Sequence, residues 1–236
     1  MLHLSLFLLL FCCCNAHGST QSLTFALPFE DVSSIKIYGK RFSSFYESVF
    51  SPINRDVKFV YYPSKRSLQI ADSGVIDGEA ARLAGLLEYG MVQNLIRIEP
   101  PITEVQTRVF GETNHPPIKD WQALAKMGGR VGLQRGMVIW AARARKHGVK
   151  LVELNRIGQG LDLLVAKRID YLIAAGGITE KVIHAKNQGD KVEALGTLDL
   201  DNIHLWLHKK HQDLIPQVEK QIRRLKLIQK NIPLSD

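Results

Sequence analysis

Short runs of apolar and β-branched residues recur along the chain at 23–27, 57–62, 95–98, 130–133, 150–154, 171–174 and 203–207, each of strand length. Between them the apolar positions repeat with helical spacing. Phe42, Phe45, Tyr46 and Val49 stand at i, i+3, i+4 and i+7, so 40–50 predicts a helix whose apolar stripe faces a sheet. Further helices are predicted at 121–126, capped by Asp120, at 137–147 and at 179–187. Each is followed by glycine suited to a left-handed stop, at Gly128-Gly129, Gly148 and Gly189. A last helix starts near Asp213 with Pro216 in its first turn, and Ile215, Val218, Ile222 and Leu225 form its buried stripe.

Strands that alternate with helices imply parallel sheets, because parallel neighbours need a crossover and a helix supplies it. The predicted fold class is α/β. Extended stretches at 100–110 and 192–198 read as two connectors, and two crossings between halves predict a hinge. No internal repeat, low-complexity tract or Gly/Ser linker interrupts the 236 residues.

The first twenty residues carry no Lys, Arg, Asp or Glu, and positions 6–14 are wholly apolar before Asn15. That run is too short to span a bilayer, which takes roughly 20 apolar residues. It fits the core of a cleavable signal peptide occupying residues 1–16, with the cut after Ala16, so export to the periplasm is expected. All three cysteines, Cys12, Cys13 and Cys14, lie inside it, leaving no disulfide framework and no zinc-like spacing in the remainder. What remains is long enough for two lobes of about 100 residues each.

Lys and Arg outnumber Asp and Glu by 31 to 23, for a net charge of +8, yet the cations are spread along the chain. Nucleic-acid binding is not indicated. The densest cluster, Arg143, Arg145, Lys146 and His147, falls at the end of a predicted helix and reads as a solvated face. His204, His208 and His211 fall on or just beyond a predicted strand, which spaces the first two about 13 Å apart, so they read as surface histidines rather than as a metal set. No metal or cofactor is expected. Nothing in the pattern calls for an oligomer, and a monomer is expected.

A helical stretch after Pro63, then Gly74, then Asp77-Gly78-Glu79 and Arg82, resembles the extracellular solute-binding protein family 3, the polar amino-acid-binding type. So do the segment from Ile118 through Gly129-Arg130-Val131-Gly132 to Gly136 and the segment 163–174. The resemblance runs from about Leu23 to Leu227. It implies a two-lobed type II periplasmic-binding-protein fold, with residues 22–105 plus 197–236 as the first lobe and residues 106–196 inserted as the second. A ligand is then expected in the cleft, beyond the carboxyl ends of the strands.

Candidate ligand contacts follow from that placement. In the second lobe, Gln134, Arg135 and Gly136 form a turn into a helix N-terminus, whose free backbone N–H groups attract anions; alternatively the glycine only permits a tight turn. In the first lobe, Arg82 can clamp a carboxylate, with Asp77 and Glu79 beside it, or the three can form a structural ion pair. Arg66 either reaches the pocket or stays solvated. Phe29, just past the first strand, stands where amino-acid binders of this family stack a ring. Trp121 and Trp140 read as core.

Two departures from the family pattern bear on the ligand. The segment 84–92 lacks the arginine that usually holds a ligand carboxylate, and Ala175 stands where an acid usually meets the ligand ammonium. A buried ammonium without a partner is costly, so an anionic or uncharged polar metabolite is expected instead of a zwitterionic amino acid. The expected function is solute capture for a membrane transporter or sensor, with no catalysis. The alternatives are a dehydratase-type enzyme on the same fold, with Glu79 or Asp77 as base, and a pocketless interaction protein.

Overall fold

A computed structural model of the chain describes residues 21–27 and 42–231. The strands are β1 (Gln21–Leu27), β2 (Arg55–Tyr61), β3 (Gly78–Leu83), β4 (Leu95–Arg97), β5 (Thr103–Glu112), β6 (Val131–Gln134), β7 (Leu151–Leu154), β8 (Tyr171–Ala175) and β9 (Val192–His208). The helices are α1 (42–50), α2 (Ser64–Asp72), α3 (Trp121–Met127), α4 (Val138–Lys146), α5 (Ile157–Val165), α6 (Gly176–Ala185) and α7 (Ile215–Asn231). The expected signal peptide, residues 1–16, and the predicted ligand contact Phe29 lie outside the described residues. No described helix is long and apolar enough to cross a membrane.

Each half is a parallel triplet closed by a long antiparallel strand. In the first, β2, β1 and β3 run parallel and β9 pairs antiparallel with β3; in the second, β7, β6 and β8 run parallel and β5 pairs antiparallel with β8. β5 and β9 then pair antiparallel with each other, from Thr103 opposite Ile203 to Glu112 opposite Val192. The hydrogen-bond ladder is therefore continuous through both halves, in the order β2-β1-β3-β9-β5-β8-β6-β7. The apolar cores are divided. Leu23, Phe25, Tyr46, Phe50, Leu205 and Val218 cluster on one face of the first half, and Ala26, Leu68, Leu86 and Trp206 on the other. Val109, Trp121, Leu133, Trp140 and Ile173 fill one face of the second, and Phe110, Leu161, Leu172 and Ile183 the opposite one. Alternate residues of β1, β8 and β9 thus enter opposite clusters, as strands covered on both faces require. The architecture is two-lobed α/β, hinged on β5 and β9.

Sequence and structure part at β3. Its Glu, Ala, Ala, Arg and Leu favour helix, and the segment reads as a turn; instead it is a buried inner strand between β1 and β9, where burial overrides propensity. Gly78 is needed there: a Cβ would sit 2.0 Å from the Trp206 carbonyl oxygen. The connector at 192–198 and the strand at 203–207 are one 17-residue strand, β9. α6 starts three residues earlier than its polar start predicts and ends at Ala185, with the left-handed Asn187 (φ 51°) shortly after it in place of Gly189. Asp120 caps α3 as expected, accepting from the Ala123 N–H at 2.7 Å.

Two polar sites depart from the surface reading. Arg143 is partly buried, not a solvated residue: its Nη1 donates to Asp199 at 2.9 Å and to Asp201 at 2.7 Å on β9, while Arg145 and Lys146 stay exposed. Trp121 and Trp140 donate to the same two carboxylates, and Thr107 of β5 donates to Asp201. His204 is not a surface histidine either; it is 3% exposed and its Nδ1 lies 2.9 Å from the Ile98 carbonyl oxygen. That carbonyl can only accept, so Nδ1 carries a proton. Burial lowers the His204 pKa, outweighing the Ile98 carbonyl and the Glu99 carboxylate, with Arg97 and Lys226 acting in the same direction as burial.

Replacing Arg143 by Met leaves Asp201 buried without its cation and is expected to lower unfolding stability by about 2–4 kcal/mol in urea titration. A second expectation concerns pH. Because the native His204 resists protonation while the unfolded chain binds a proton near pH 6.5, stability holds above that pH and falls below it until the lower native pKa is passed. The melting temperature of a His204→Gln variant should lose part of the decline seen between about pH 7 and pH 5; an unchanged decline would contradict the assignment.

Candidate functional site

A cavity of about 630 Å³ opens between the two lobes. Its wall takes Arg82, Leu83 and Leu86 from the first lobe, Thr103, Val105 and Ile203 from the hinge, and Gln134, Gly136, Ile139 and Ile173 from the second. The amino ends of three helices also reach it, through Val138 and Ile139 of α4, Ile157 and Gly158 of α5, and Gly177 and Ile178 of α6. Most of this surface is apolar, and the helix ends add partial positive charge to it. Two carboxylates, Glu104 and Glu180, one exposed arginine, Arg156, and Gln106 add to the polar part of the wall.

The structure brings together three of the predicted site residues, Arg82, Gln134 and Gly136. Arg82 comes from the strand β3, and its fork is already engaged. Nη1 donates to Ser64 Oγ at 2.6 Å, and Nη2 reaches the Ser64 carbonyl at 2.9 Å, Ser67 Oγ at 3.1 Å and Glu79 Oε1 at 3.0 Å. Glu79 is fully buried, takes a hydrogen bond from Ser67 and faces away from the cavity wall as the arginine's counter-ion. Next to it, burial raises the Tyr46 hydroxyl well above its ordinary pKa, and the Glu79 carboxylate adds to the effect. Tyr46 donates to the Ala80 carbonyl. The expected alternative of a structural ion pair is what the strand holds, with one edge of Arg82 left on the cavity.

The other predicted residues are not in the wall. Asp77 is a staple: its carboxylate accepts from the Thr24 N–H at 2.7 Å and contacts His211 at 2.6 Å and Lys210 at 2.8 Å. Burial raises its pKa, but Lys210, the Thr24 N–H and His211 together outweigh that and lower it. Arg66 is exposed, with its guanidinium 5.6 Å from the Tyr62 ring centre. Arg135 is exposed and pairs with Glu153 at 2.9 Å. Arg66 and Arg135 take these places because α2 and the β6–α4 turn direct them to solvent, and Asp77 because the turn before β3 sets it against Thr24 of β1. Wall residues that escaped the sequence reading, among them Leu83, Leu86, Arg156 and Glu180, share no motif; they meet only in three dimensions. Ala175, by contrast, lines the cavity where the family pattern places it.

Gly136 and Ser64 close the gap between the lobes. Ser64 Oγ lies 3.1 Å from the Gly136 carbonyl oxygen, and Arg82 donates to the same Oγ, so a chain of hydrogen bonds runs from β3 through α2 to the second lobe. Gly136 has φ +89°, and a Cβ on it would meet Ser64 Cβ at 2.5 Å. Ile139 extends the contact by packing among Leu68, Leu86 and Trp206 of the first lobe.

Gly136→Ala is expected to hold the lobes apart, raising the radius of gyration in X-ray scattering. Ser64→Gly added to it removes the Ser64 side-chain clash but neither the backbone strain nor the 3.0 Å approach to the Lys65 backbone nitrogen, so the double variant should recover compactness if the Ser64 side chain is what sets closure. Equal expansion of both variants would assign the effect to the backbone instead of the Ser64 side chain.

No family model matches the chain. An uncharacterized protein from Shewanella oneidensis (strain MR-1) is 27% identical over 173 residues, 70% of this chain. The chain spans 62% of that protein's length. Among solved structures, a histidine kinase sensor domain with similarity to periplasmic binding proteins superposes with a TM-score of 0.71 at 16% identity, covering 89% of this chain and 92% of that one. An arginine-binding protein from T. maritima in its holo form gives 0.66 at 15% identity, covering 88% and 92%. An amino acid ABC transporter substrate-binding protein from Streptococcus pneumoniae bound to L-arginine gives 0.64 at 15%, covering 88% and 90%. These likenesses establish architecture: the chain has the two-lobed fold of the periplasmic binding proteins.

Proposed function

We propose that the chain is an exported solute-binding protein that closes over a small anionic or polar metabolite with an apolar body, for delivery to a membrane transporter or for reporting to a membrane sensor. The observation that carries the proposal is the cavity of about 630 Å³ whose wall is shared by both lobes and the hinge. That volume falls within the range of sites for small metabolites, and a mostly apolar wall with a few placed polar groups is how such sites bind. In this proposal the lobes divide at 105/106 and 196/197, within the paired strands β5 and β9. Ligand contacts come from Arg82, Gln134 and Gly136.

Three helix amino ends on one cavity favour an anion over a cation, because each carries partial positive charge and unpaired N–H groups. Ala175 offers no counter-charge to an ammonium, and Glu180 is engaged by Arg108. Glu79 and Asp77, the bases that the dehydratase alternative would use, are engaged in other contacts and lie outside the cavity wall, which weighs against that alternative. An interaction protein without a pocket would have that volume filled by its own side chains.

The test is thermal unfolding of the purified chain against butyrate, hexanoate and benzoate, and separately against the common amino acids. Saturating carboxylate should raise the melting temperature by roughly 5 °C, as mass action on the native state requires at about a hundredfold excess over Kd. The carboxylate should also be recovered unchanged. Tight, cavity-dependent binding of a zwitterionic amino acid would overturn the anion preference, and consumption of the compound would restore the enzyme reading.

A further inference from the structure

We propose that the ion pair between Arg108 and Glu180 sets the charge selectivity of the cavity, excluding cationic solutes by keeping Glu180 occupied. The proposal rests on the cavity being a solute site. Glu180, on α6, lines the wall, and Arg108 of the hinge strand β5 donates to it from Nη1. Arg108 stands opposite Ala174 in the β5–β8 ladder, one residue from Ala175. The pair therefore lies beside the wall position that lacks an acid.

The arginine is held there at a cost. Its Nε is buried without a partner, which a lysine or an apolar residue would avoid. Its stem passes close to the start of α6, where a Cβ on Gly176 would lie 2.8 Å from Arg108 Cδ. A glycine at 176 and an unsatisfied donor are both features a packing role alone does not require.

Electrostatics gives the consequence. The Arg108 and Glu180 side chains are 25% and 47% exposed, so the pair adds little to folding stability. Its effect on ligands is through net charge. With Arg108 present, Glu180 is neutralised, leaving Glu104, Arg156 and the helix amino ends to set the charge of the wall; without it, Glu180 becomes a second free carboxylate facing the solute. A wall that now rejects ammonium and guanidinium groups would then accept them. Glu104, the other carboxylate on the wall, is exposed on the hinge strand and has no part in the pair.

Matched probes of equal shape and opposite charge test this: butyrate, hexanoate and benzoate against butylammonium, hexylammonium and benzylammonium, titrated by calorimetry into the full chain. Arg108→Met should tighten binding of the ammonium probes about tenfold and weaken that of the carboxylates by a similar factor. Adding Glu180→Gln should abolish the gain for ammonium. Glu180→Gln alone leaves Arg108 unpaired beside the wall and should tighten the carboxylates, a reading available even if Arg108→Met does not fold. Ammonium binding unchanged in Arg108→Met, or a gain that survives Glu180→Gln, overturns the filter. Whether the unmodified chain binds the carboxylates at all decides the cavity reading separately.

Discussion

The antiparallel pairing of β5 with β9 is the constraint on which the rest of the molecule depends. Among the described residues it is the one place where the backbone of both lobes shares a ladder, and the main apolar clusters lie on either side of it, with Ile139 of the second lobe packed into one of the first. A 17-residue strand reaches roughly 55 Å, long enough to serve both halves. Rotation of the lobes must therefore be absorbed by bending and twisting of two strands. The register shifts between Thr107 and Arg108 and between Val109 and Phe110 put irregularity into that stretch. Bulges raise local twist and bend a strand while disrupting the ladder only locally.

The polar residues of the hinge act in the same place. Asp199 and Asp201 on β9 collect Arg143, Trp121, Trp140 and Thr107, so the first two helices of the second lobe are tied to the strand that leads out of it. The first lobe has its counterpart in Glu79, Arg82, Ser64 and Ser67, which fix α2 against β3. Buried ion pairs of this kind gain little net stability, since desolvation offsets attraction, but they specify geometry. In the first lobe that geometry extends through Ser64, whose hydroxyl joins Arg82 to the Gly136 carbonyl of the second lobe.

Much of this was legible in the sequence. The seven strand-length runs all became strands, and the stripe Phe42, Phe45, Tyr46 and Val49 faces the sheet as its period requires. These signals are strong because strand and helix periods report which side of an element is buried, and burial of apolar surface is the main force driving the chain to fold. β3 was not legible, because Glu79-Ala80-Ala81-Arg82 carries helical propensity and the tertiary neighbours that override it are far away in the chain. The site was less legible than the fold. Gln134 and Gly136 follow from a local strand-to-helix turn, whereas Glu180, Arg108 and Leu86 converge from separate elements with no spacing to betray them. Charged residues were also misplaced for a common reason: Arg66 and Arg135 look like Arg82 in one dimension, and only the sheet order decides which of them is turned inward.

The fold and the ligand are separate questions, and the wall of the cavity makes that concrete. Structures with this architecture include a sensor domain and proteins bound to arginine, all at about one identical residue in six. At that distance the strands and helices persist because any apolar residue of suitable size satisfies their burial, while polar groups lining a cleft are free to change. In this chain Ala175 lines the cavity, Glu180 is matched by Arg108, and the amino ends of three helices reach the wall, where Glu104 is the carboxylate left to oppose them. The proposed preference for a negatively charged solute rests on that balance: the helix ends and the paired Glu180 support it, and Glu104 is the charge that works against it.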